Sequence, residues 1–309
     1  METHKKQERM GEIFLLSYIS VFSLFPVVAN YATKAMPPIM FAGASSLVAA
    51  VVVFLYLLIS GKLKNLFNKK AFPYILGVTL FGIIIPFVFI FTGTSKTSGI
   101  NTTLLLQTEI LFTYIFCWLF FKEKISRRKL IGGVTILIGA IAVLYNGSFK
   151  LNLGDFLVIA GVISYPFANR CSKKALEFVD PAVIIAARSI IGGAFLILIS
   201  LIFEKYTAAP VQILKNYWPI ILFNGVFMLG AAKFLWFAGL KRLDISKAVS
   251  ISIAEPAFGL IYACIFLREI PTFYQLAGVV IIIFGLYLLT LYKKNVAHEP
   301  AEESIVERT

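Results

Sequence analysis

Residues 109–144 read EILFTYIFCWLFFKEKISRRKLIGGVTILIGAIAVL, and a related stretch, EPAFGLIYACIFLREIPTFYQLAGVVIIIFGLYLLT, occupies residues 255–290. The two stretches align without a gap at an offset of 146 positions, and the register extends further towards the N-terminus. The matched pairs include Glu109/Glu255, Glu123/Glu269, Gly132/Gly278, Gly139/Gly285 and Pro73/Pro219. Because glutamates, glycines and prolines rarely coincide by chance in an apolar chain, we infer that one ancestral unit occurs twice.

The amino-acid composition excludes an ordinary soluble domain. Hydrophobic residues make up 59% of the 309 residues, charged residues make up 15%, and the mean hydropathy is +0.86. A typical soluble domain has about 25% charged residues, so we predict an all-α integral membrane protein. The net charge of +13 is concentrated in short basic clusters between apolar runs. This pattern is typical of membrane loops and argues against nucleic-acid binding.

A transmembrane helix needs about 20 mostly apolar residues. Ten candidate runs occur, at 13–32, 37–60, 72–91, 98–121, 128–146, 153–171, 180–203, 217–239, 246–267 and 272–292. We predict two five-helix repeats, at 13–146 and 153–292, between a tail at 1–12 and a disordered tail at 293–309. Because five crossings are an odd number, the second repeat enters from the opposite membrane face, and the repeats are inverted.

The distribution of basic residues predicts the orientation. Of the 29 Lys and Arg residues, 21 fall in loops on one side, six in loops on the other, and two, Arg188 and Lys233, inside spans. Lys and Arg are enriched in cytoplasmic loops. We therefore predict that both termini are cytoplasmic and that the protein lies in the cell (inner) membrane.

Ionisable side chains inside predicted spans are the main functional candidates, because charge in hydrocarbon is costly. Glu109 and Glu255 lie in the middle of the fourth and ninth spans and are candidates for proton coupling or amine binding. The alternative is structural, with both carboxylates accepting hydrogen bonds between helices. Arg188 is suited to bind a carboxylate or phosphate. Alternatively, Arg188 and Lys233 extend their charged ends to the membrane surface.

Polar and aromatic residues near these charges complete the candidate site. The candidate substrate-binding residues are Arg188, Lys233, Trp236, Tyr165, Asn101 and Asn169. Pro26 and Pro166 interrupt the first and sixth spans, at an offset of 140 instead of 146. Broken helices in corresponding spans are typical of transporter sites.

The repeat pattern resembles the EamA branch of the drug/metabolite transporter superfamily. Each half carries an acidic residue, an apolar helix, a basic-Glu turn (Lys122-Glu123 and Arg268-Glu269) and a glycine-spaced helix. The second half has Ala254-Glu255-Pro256, whereas the first half has Ile110 where the proline would be. The resemblance covers nearly the whole chain outside the C-terminal tail. It implies a secondary transporter of small metabolites, often an exporter.

The sequence therefore favours a secondary active transporter that moves a small polar metabolite by alternating access at a mid-membrane cavity between the repeats. The two cations favour a carboxylate or phosphate on the substrate and the two glutamates allow an amine, so an amino acid or related zwitterion is favoured, with export as the direction. The alternatives are an uncoupled facilitator, a carrier of a phosphorylated metabolite, nucleotide or vitamin and, more remotely, a membrane-embedded enzyme.

An enzyme is disfavoured because both histidines lie in the tails and the sequence has no metal-ligand cluster or nucleophile motif. We expect the partners to be a small-molecule substrate, the lipid bilayer and a coupled proton. We expect no cofactor, no metal and no nucleic acid, and a monomer or homodimer.

Overall fold

The computed structural model describes residues 2–121, 127–145, 152–243 and 251–290. Every regular element in these ranges is helical, which confirms the predicted all-α class. The first-half α-helices are α1 (Glu2–Phe22), α2 (Phe25–Ala35), α3 (Pro38–Ile59), α4 (Phe72–Thr79), α5 (Ile85–Thr94), α6 (Gly99–Leu106), α7 (Thr108–Phe121) and α8 (Arg127–Tyr145). The second-half α-helices are α9 (Leu153–Val162), α10 (Tyr165–Ala175), α11 (Pro181–Phe203), α12 (Pro210–Phe223), α13 (Lys233–Leu240), α14 (Glu255–Phe266) and α15 (Phe273–Thr290).

Within the described residues, five helical stretches are long and apolar enough to cross a membrane. They are Gln7–Ala35, Pro38–Ile59, Phe72–Thr94, Pro181–Phe203 and Pro210–Leu240. Shorter apolar helices, Ile131–Tyr145, Glu255–Phe266 and Phe273–Leu288, lie in three further predicted spans. The count of ten spans stays a prediction. Helix α1 begins at Glu2, inside the predicted N-terminal tail, and the predicted C-terminal tail lies outside the described residues.

Corresponding spans of the two halves are interrupted at corresponding places. Residues 23–24 separate α1 from α2, and residues 163–164 separate α9 from α10. Pro26 and Pro166 lie in the first turns of the resumed helices. Proline is tolerated there because the first N–H groups of a helix have no intrahelical partner. The predicted interruptions at the two prolines are confirmed.

The fourth and ninth spans are also interrupted, and this corrects the expected position of both glutamates. Gln107 separates α6 from α7, and the backbone there forms hydrogen bonds between residues three apart, from Gln107 to Leu104 and from Ile110 to Gln107. A 3₁₀ segment, Ser252–Ala254, precedes α14. Glu109 therefore lies in the first turn of α7, and Glu255 is the first residue of α14, so neither is in mid-helix. Pro256 explains the second break because its nitrogen cannot donate to the preceding turn. Both carboxylates lie at helix N-termini, where the helix dipole favours negative charge.

Glycines at matched repeat positions face one another where α8 crosses α15. A Cβ atom added to Gly139 would lie 3.1 Å from the carbonyl oxygen of Gly278, and one added to Gly285 would lie 2.9 Å from that of Gly132. Only glycine allows such a close approach of two helix backbones. Gly132 lies against Gly285 and Gly139 against Gly278, so residue numbers rise along α8 as they fall along α15. The two equivalent helices therefore run antiparallel. An antiparallel crossing of equivalent helices is what inverted repeats predict.

A second pair of interfaces follows the same symmetry. Helix α1 packs on α13, where a Cβ atom added to Gly239 would lie 2.7 Å from the Leu15 side chain. Its counterpart is the packing of α9 on α5, where one added to Gly93 would lie 2.6 Å from the carbonyl oxygen of Gly154. Gly93 and Gly239 are also related by the 146-residue offset. Each half therefore contacts the other through the same elements, and the first part of each broken span, α1 or α9, belongs to one of these interfaces.

Candidate functional site

Charged, polar and aromatic side chains from six helices meet at the helix breaks. This set, which we call the central cluster, comprises Tyr18 and Phe22 of α1, Glu109 of α7, Tyr165 and Asn169 of α10, Arg188 of α11, Lys233 and Trp236 of α13, and Glu255 of α14. Seven of the eight residues proposed from the sequence lie in it. The exception is Asn101.

Glu109 connects the two repeats at the cluster. Its carboxylate accepts a hydrogen bond of 3.0 Å from the side-chain amide of Asn169 in the second repeat. Lys233 and Tyr165 lie close enough to interact with it electrostatically. A carboxylate with a fixed amide donor and a nearby ammonium is well compensated for leaving water.

Glu255 has a different environment. The hydroxyl groups of Tyr18 and Ser252 face its carboxylate, and Lys233 and Glu109 interact with it electrostatically. The two carboxylates therefore share Lys233 as their nearby cation. One cation between two carboxylates leaves a net negative charge that a further cation or a proton can neutralise.

Lys233 follows directly on a π-helical segment, Asn224–Ala232. Its Nζ lies 3.8 Å from the centroid of the Phe22 ring and 5.6 Å from that of Tyr18, both within cation–π range. The first-repeat π-segment, Leu80–Ile84, occupies the corresponding span. Such segments are frequent at functional sites because the extra residue redirects the side chains that follow.

Sequence reasoning missed Tyr18 and Phe22. Both are aromatic residues in an apolar span, which is ordinarily a lipid-facing or core environment. The one available signal was their spacing, since they lie eight and four residues before Pro26 and so share one helix face directed at the break. Tyr18 also contacts Trp236, with ring centroids 5.1 Å apart.

Arg188 is a buried cation that forms no ion pair with any residue that the structure describes. Its residue is 5% exposed, which does not fit the alternative in which it reaches the membrane surface. Among the described residues its Nε has no hydrogen-bond partner and its guanidinium forms no ion pair. Its neighbours are Tyr165, Lys233 and the ring of Phe237 at 5.4 Å. A buried charge without a partner costs several kcal/mol, about 3–5 in measured cases, so this position is suited to an anionic ligand group.

Asn101 lies outside the central cluster. Its amide nitrogen donates to Asp155 at 3.1 Å, and its amide oxygen accepts from Gln275 at 2.8 Å. Asp155, which is 3% exposed, also accepts a hydrogen bond from Thr97. The break at Gln107 explains the separation, since Asn101 belongs to α6 and Glu109 to α7. Asn101 thus joins α6, α9 and α15.

Two carboxylates bind helix N-termini at the same end of the molecule. Glu269 accepts hydrogen bonds from the first two N–H groups of α6, both at 2.8 Å, and Glu204 accepts two from the start of α3, at 2.7 and 2.9 Å. Carboxylates at helix N-termini are favoured by charge-assisted hydrogen bonds and by the helix dipole. We call this end, with Glu204, Glu269 and the Asn101 contacts, the capped end. Both caps join a second-repeat residue to a first-repeat helix.

The other end, which we call the lysine end, is held by Asp180. Its carboxylate pairs with Lys62 at 2.8 Å and with Lys241 at 2.9 Å, joining the connections that follow α3 and α13 to the start of α11. A small cavity of about 150 Å³ lies here, lined by both lysines, Asp180, Phe14 and Phe234 among others. The cavity reaches the level of Phe234, the residue after Lys233 in the chain, and all of its lining residues lie outside the central cluster.

The Asp180 ion pairs predict a small pH-dependent stability. Hydrogen bonds from Lys62 and then Lys241 hold the pKa of Asp180 below its usual value. The stabilisation is therefore present above the unfolded-state pKa of about 3.9 and is lost as the pH falls through the folded-state pKa. We expect Asp180→Asn to reduce stability at neutral pH by about 1 kcal/mol or less, because Asp180 is 34% and the lysines are 46% and 48% exposed.

Melting curves of the purified protein between pH 7 and pH 3 test this expectation. Glu177→Gln is the matched control, because its pair with Lys174 is exposed and lies within one helical turn. A melting-temperature difference for Asp180→Asn that is unchanged at the lowest pH would contradict an ionic origin.

Comparisons with known proteins agree with this architecture. The model of the EamA-like transporter family matches the chain twice, at residues 9–145 and 152–291. An uncharacterized transporter of Methanothermobacter thermautotrophicus is 29% identical over 213 residues, which are 67% of this chain and 61% of that protein. A probable amino-acid metabolite efflux pump of Salmonella typhimurium is 26% identical over 292 residues, which are 91% of this chain and 94% of that protein.

A solved structure shares the fold. It superposes with a TM-score of 0.67 at 18% sequence identity and covers 91% of this chain and 96% of that chain. At this identity the likeness concerns the fold alone.

Proposed function

This chain belongs to the EamA-like transporter family, and we propose that it is a secondary active transporter that exports an amino acid or related zwitterion by alternating access. The family assignment makes it a membrane-embedded transporter and not an enzyme. The substrate class, the direction, proton coupling and the mechanism are the proposed part.

The observation that carries the proposal is that Arg188 forms no ion pair within the described part of the chain and lies in a cluster that also holds two carboxylates. The N–H groups of the guanidinium can donate to a substrate carboxylate, which would supply the anionic partner that Arg188 lacks among the described residues. Glu109 and Glu255 offer negative charge to a substrate ammonium group. With Lys233 the cluster holds two formal charges of each sign, so a zwitterion adds no net charge. A substrate without net charge avoids the main cost of burying ions.

A phosphorylated substrate fits this charge balance less well. It would bring about two negative charges, whereas Arg188 is the one cluster cation without a nearby carboxylate among the described residues. The name of the Salmonella typhimurium relative, a probable amino-acid metabolite efflux pump, also favours an amino acid.

Alternating access is supported by the placement of the cluster between the two repeats. We propose that repeats 13–146 and 153–292, each with five spans, rearrange about the breaks near residues 23–24 and 163–164. Hydrogen bonds between the repeats hold the capped end closed. From the basic loops, we propose that the lysine end and both termini lie on the cytoplasmic side of the cell membrane. A substrate would then enter the cluster from the lysine end and leave through the capped end.

Counterflow in proteoliposomes tests the proposal. The purified protein is reconstituted with an unlabelled amino-acid mixture inside and a labelled mixture outside, with and without an imposed pH gradient. We expect exchange that the gradient accelerates. Exchange that is independent of the gradient would support an uncoupled facilitator. Exchange no faster than in protein-free liposomes would reject amino acids as substrates, and the assay would then be repeated with phosphorylated metabolites, nucleotides and vitamins.

A further inference from the structure

Lys233 lies against aromatic rings and forms no ion pair with the residues that the structure describes. Its ammonium lies 3.8 Å from the Phe22 ring centroid and 5.6 Å from that of Tyr18. It forms no salt bridge within the described part of the chain, although Glu109 and Glu255 act on it electrostatically. Ring faces beside a carboxylate are the arrangement with which proteins recognise ammonium ligands.

The rings are fixed independently of Lys233. Tyr18 stacks on Phe22 with ring centroids 5.0 Å apart, contacts Trp236 at 5.1 Å and has its hydroxyl group facing Glu255. Phe22 in turn stacks on Phe25 at 5.2 Å. The binding surface for an ammonium group therefore persists when the lysine side chain leaves it.

Lys233 itself is able to leave. Its side chain is half-buried on a flexible four-carbon stem, and the positive charge of Arg188 opposes its ammonium. The cavity at the lysine end reaches the level of Phe234, the next residue in the chain, and the flexible stem of Lys233 allows its ammonium to move along α13 towards that end.

We propose that Lys233 is an internal competitor for the substrate's ammonium group, occupying the Phe22 and Tyr18 ring faces in the empty site. The inference rests on the proposed function, because it takes the central cluster as the substrate site. A substrate with a primary or methylated ammonium group binds by displacing Lys233, and a compound without a cationic group leaves Lys233 in place. The site thereby selects for an amine, while Arg188 binds the carboxylate.

Binding of tetramethylammonium to the purified full-length protein, measured by isothermal titration calorimetry, tests the inference. We expect Lys233→Met, which keeps the length of the side chain without its charge, to bind this probe about tenfold more tightly than the wild type, or about 1.4 kcal/mol. Adding Phe22→Leu to Lys233→Met should abolish the gain, because it removes the ring face. Lys233→Arg keeps a cation on the rings and should bind the probe no more tightly than the wild type.

A matched control separates displacement from a change in charge. Arg188→Gln also removes one positive charge from the cluster but leaves Lys233 on the rings. Its gain in affinity should be much smaller than that of Lys233→Met. Equal gains in the two variants would overturn the inference, as would unchanged affinity in a folded Lys233→Met. If Lys233→Met does not fold, probe binding by Lys233→Arg that is tighter than wild type overturns it instead.

The outcome is distinguishable from failure of the proposed function. Wild-type amino-acid counterflow with no gain in Lys233→Met would reject the competitor and leave the transport proposal intact. A gain in probe affinity without wild-type counterflow would keep the ammonium site and reject amino acids as the transported substrate.

Discussion

Replacing Arg188 with glutamine is expected to abolish recognition of a substrate carboxylate while leaving the protein folded. Removing one partner of a buried charge pair costs about 2–5 kcal/mol, which corresponds to a loss of about 30-fold or more in affinity. The loss should appear as a higher concentration for half-maximal counterflow of amino acids. Decarboxylated amines should show a much smaller change, because they have no group for Arg188 to bind.

Stability measurements separate this binding role from a structural one. In the described residues Arg188 has no ion pair and an unbonded Nε, so its removal takes away no intramolecular contact of that kind. We therefore expect the melting temperature of Arg188→Gln to equal or exceed that of the wild type. A structural arginine would give the opposite result, a lower melting temperature with unchanged substrate affinity.

Arg242→Gln is a suitable control for this experiment. Arg242 also faces an aromatic ring, that of Phe14 at 5.0 Å, but lies at the lysine end outside the central cluster. Its substitution makes the same chemical change and should leave the counterflow affinity within about twofold, as for most surface substitutions.

The sequence predicted the parts of the fold that depend on covalent restriction or on close backbone approach. Gly139 and Gly285 were recognisable as repeat positions because no other residue allows such an approach of α8 and α15. Pro26 and Pro166 marked helix breaks because their nitrogens cannot donate a hydrogen bond. These are local properties that a residue type carries in any context.

The central cluster was predictable where a residue is costly in hydrocarbon. Glu109, Glu255, Arg188 and Lys233 stood out for that reason, and the structure brings them together. Phe22 carried no such signal, because a phenylalanine is compatible with lipid and becomes part of a cation–π contact only through its neighbour.

Helical spacing did not predict the level in the molecule at which each residue of a broken span lies. Asn101 and Glu109 lie in the same predicted span, but the break at Gln107 places Asn101 with the Asp155 network at the capped end. No proline marks that break in the sequence, since Ile110 stands where the second repeat has Pro256. Periodicity predicts which residues share a face, and only the three-dimensional packing shows where that face meets the other repeat.

Replacing Glu255 with glutamine is expected to uncouple transport from the pH gradient without preventing exchange. A gradient of one pH unit supplies about 1.4 kcal/mol per coupled proton and sustains up to about tenfold accumulation of substrate. Wild-type protein should approach that limit in proteoliposomes, whereas Glu255→Gln should give no accumulation and retain counterflow. Glutamine keeps a side-chain oxygen that can accept hydrogen bonds beside the Tyr18 and Ser252 hydroxyl groups but carries no titratable proton.

Glu109→Gln distinguishes the roles of the two carboxylates. Glu109 accepts a hydrogen bond from the side-chain amide nitrogen of Asn169, which can donate but cannot accept, whereas the hydroxyl groups that face Glu255 can donate or accept. A hydroxyl can therefore remain bonded to Glu255 in either protonation state. We expect Glu109→Gln to retain the response to the gradient. If Glu109→Gln alone loses that response, Glu109 and not Glu255 carries the coupled proton. Failure of both variants to insert and fold would instead identify the carboxylates as hydrogen-bond acceptors that hold the two repeats together.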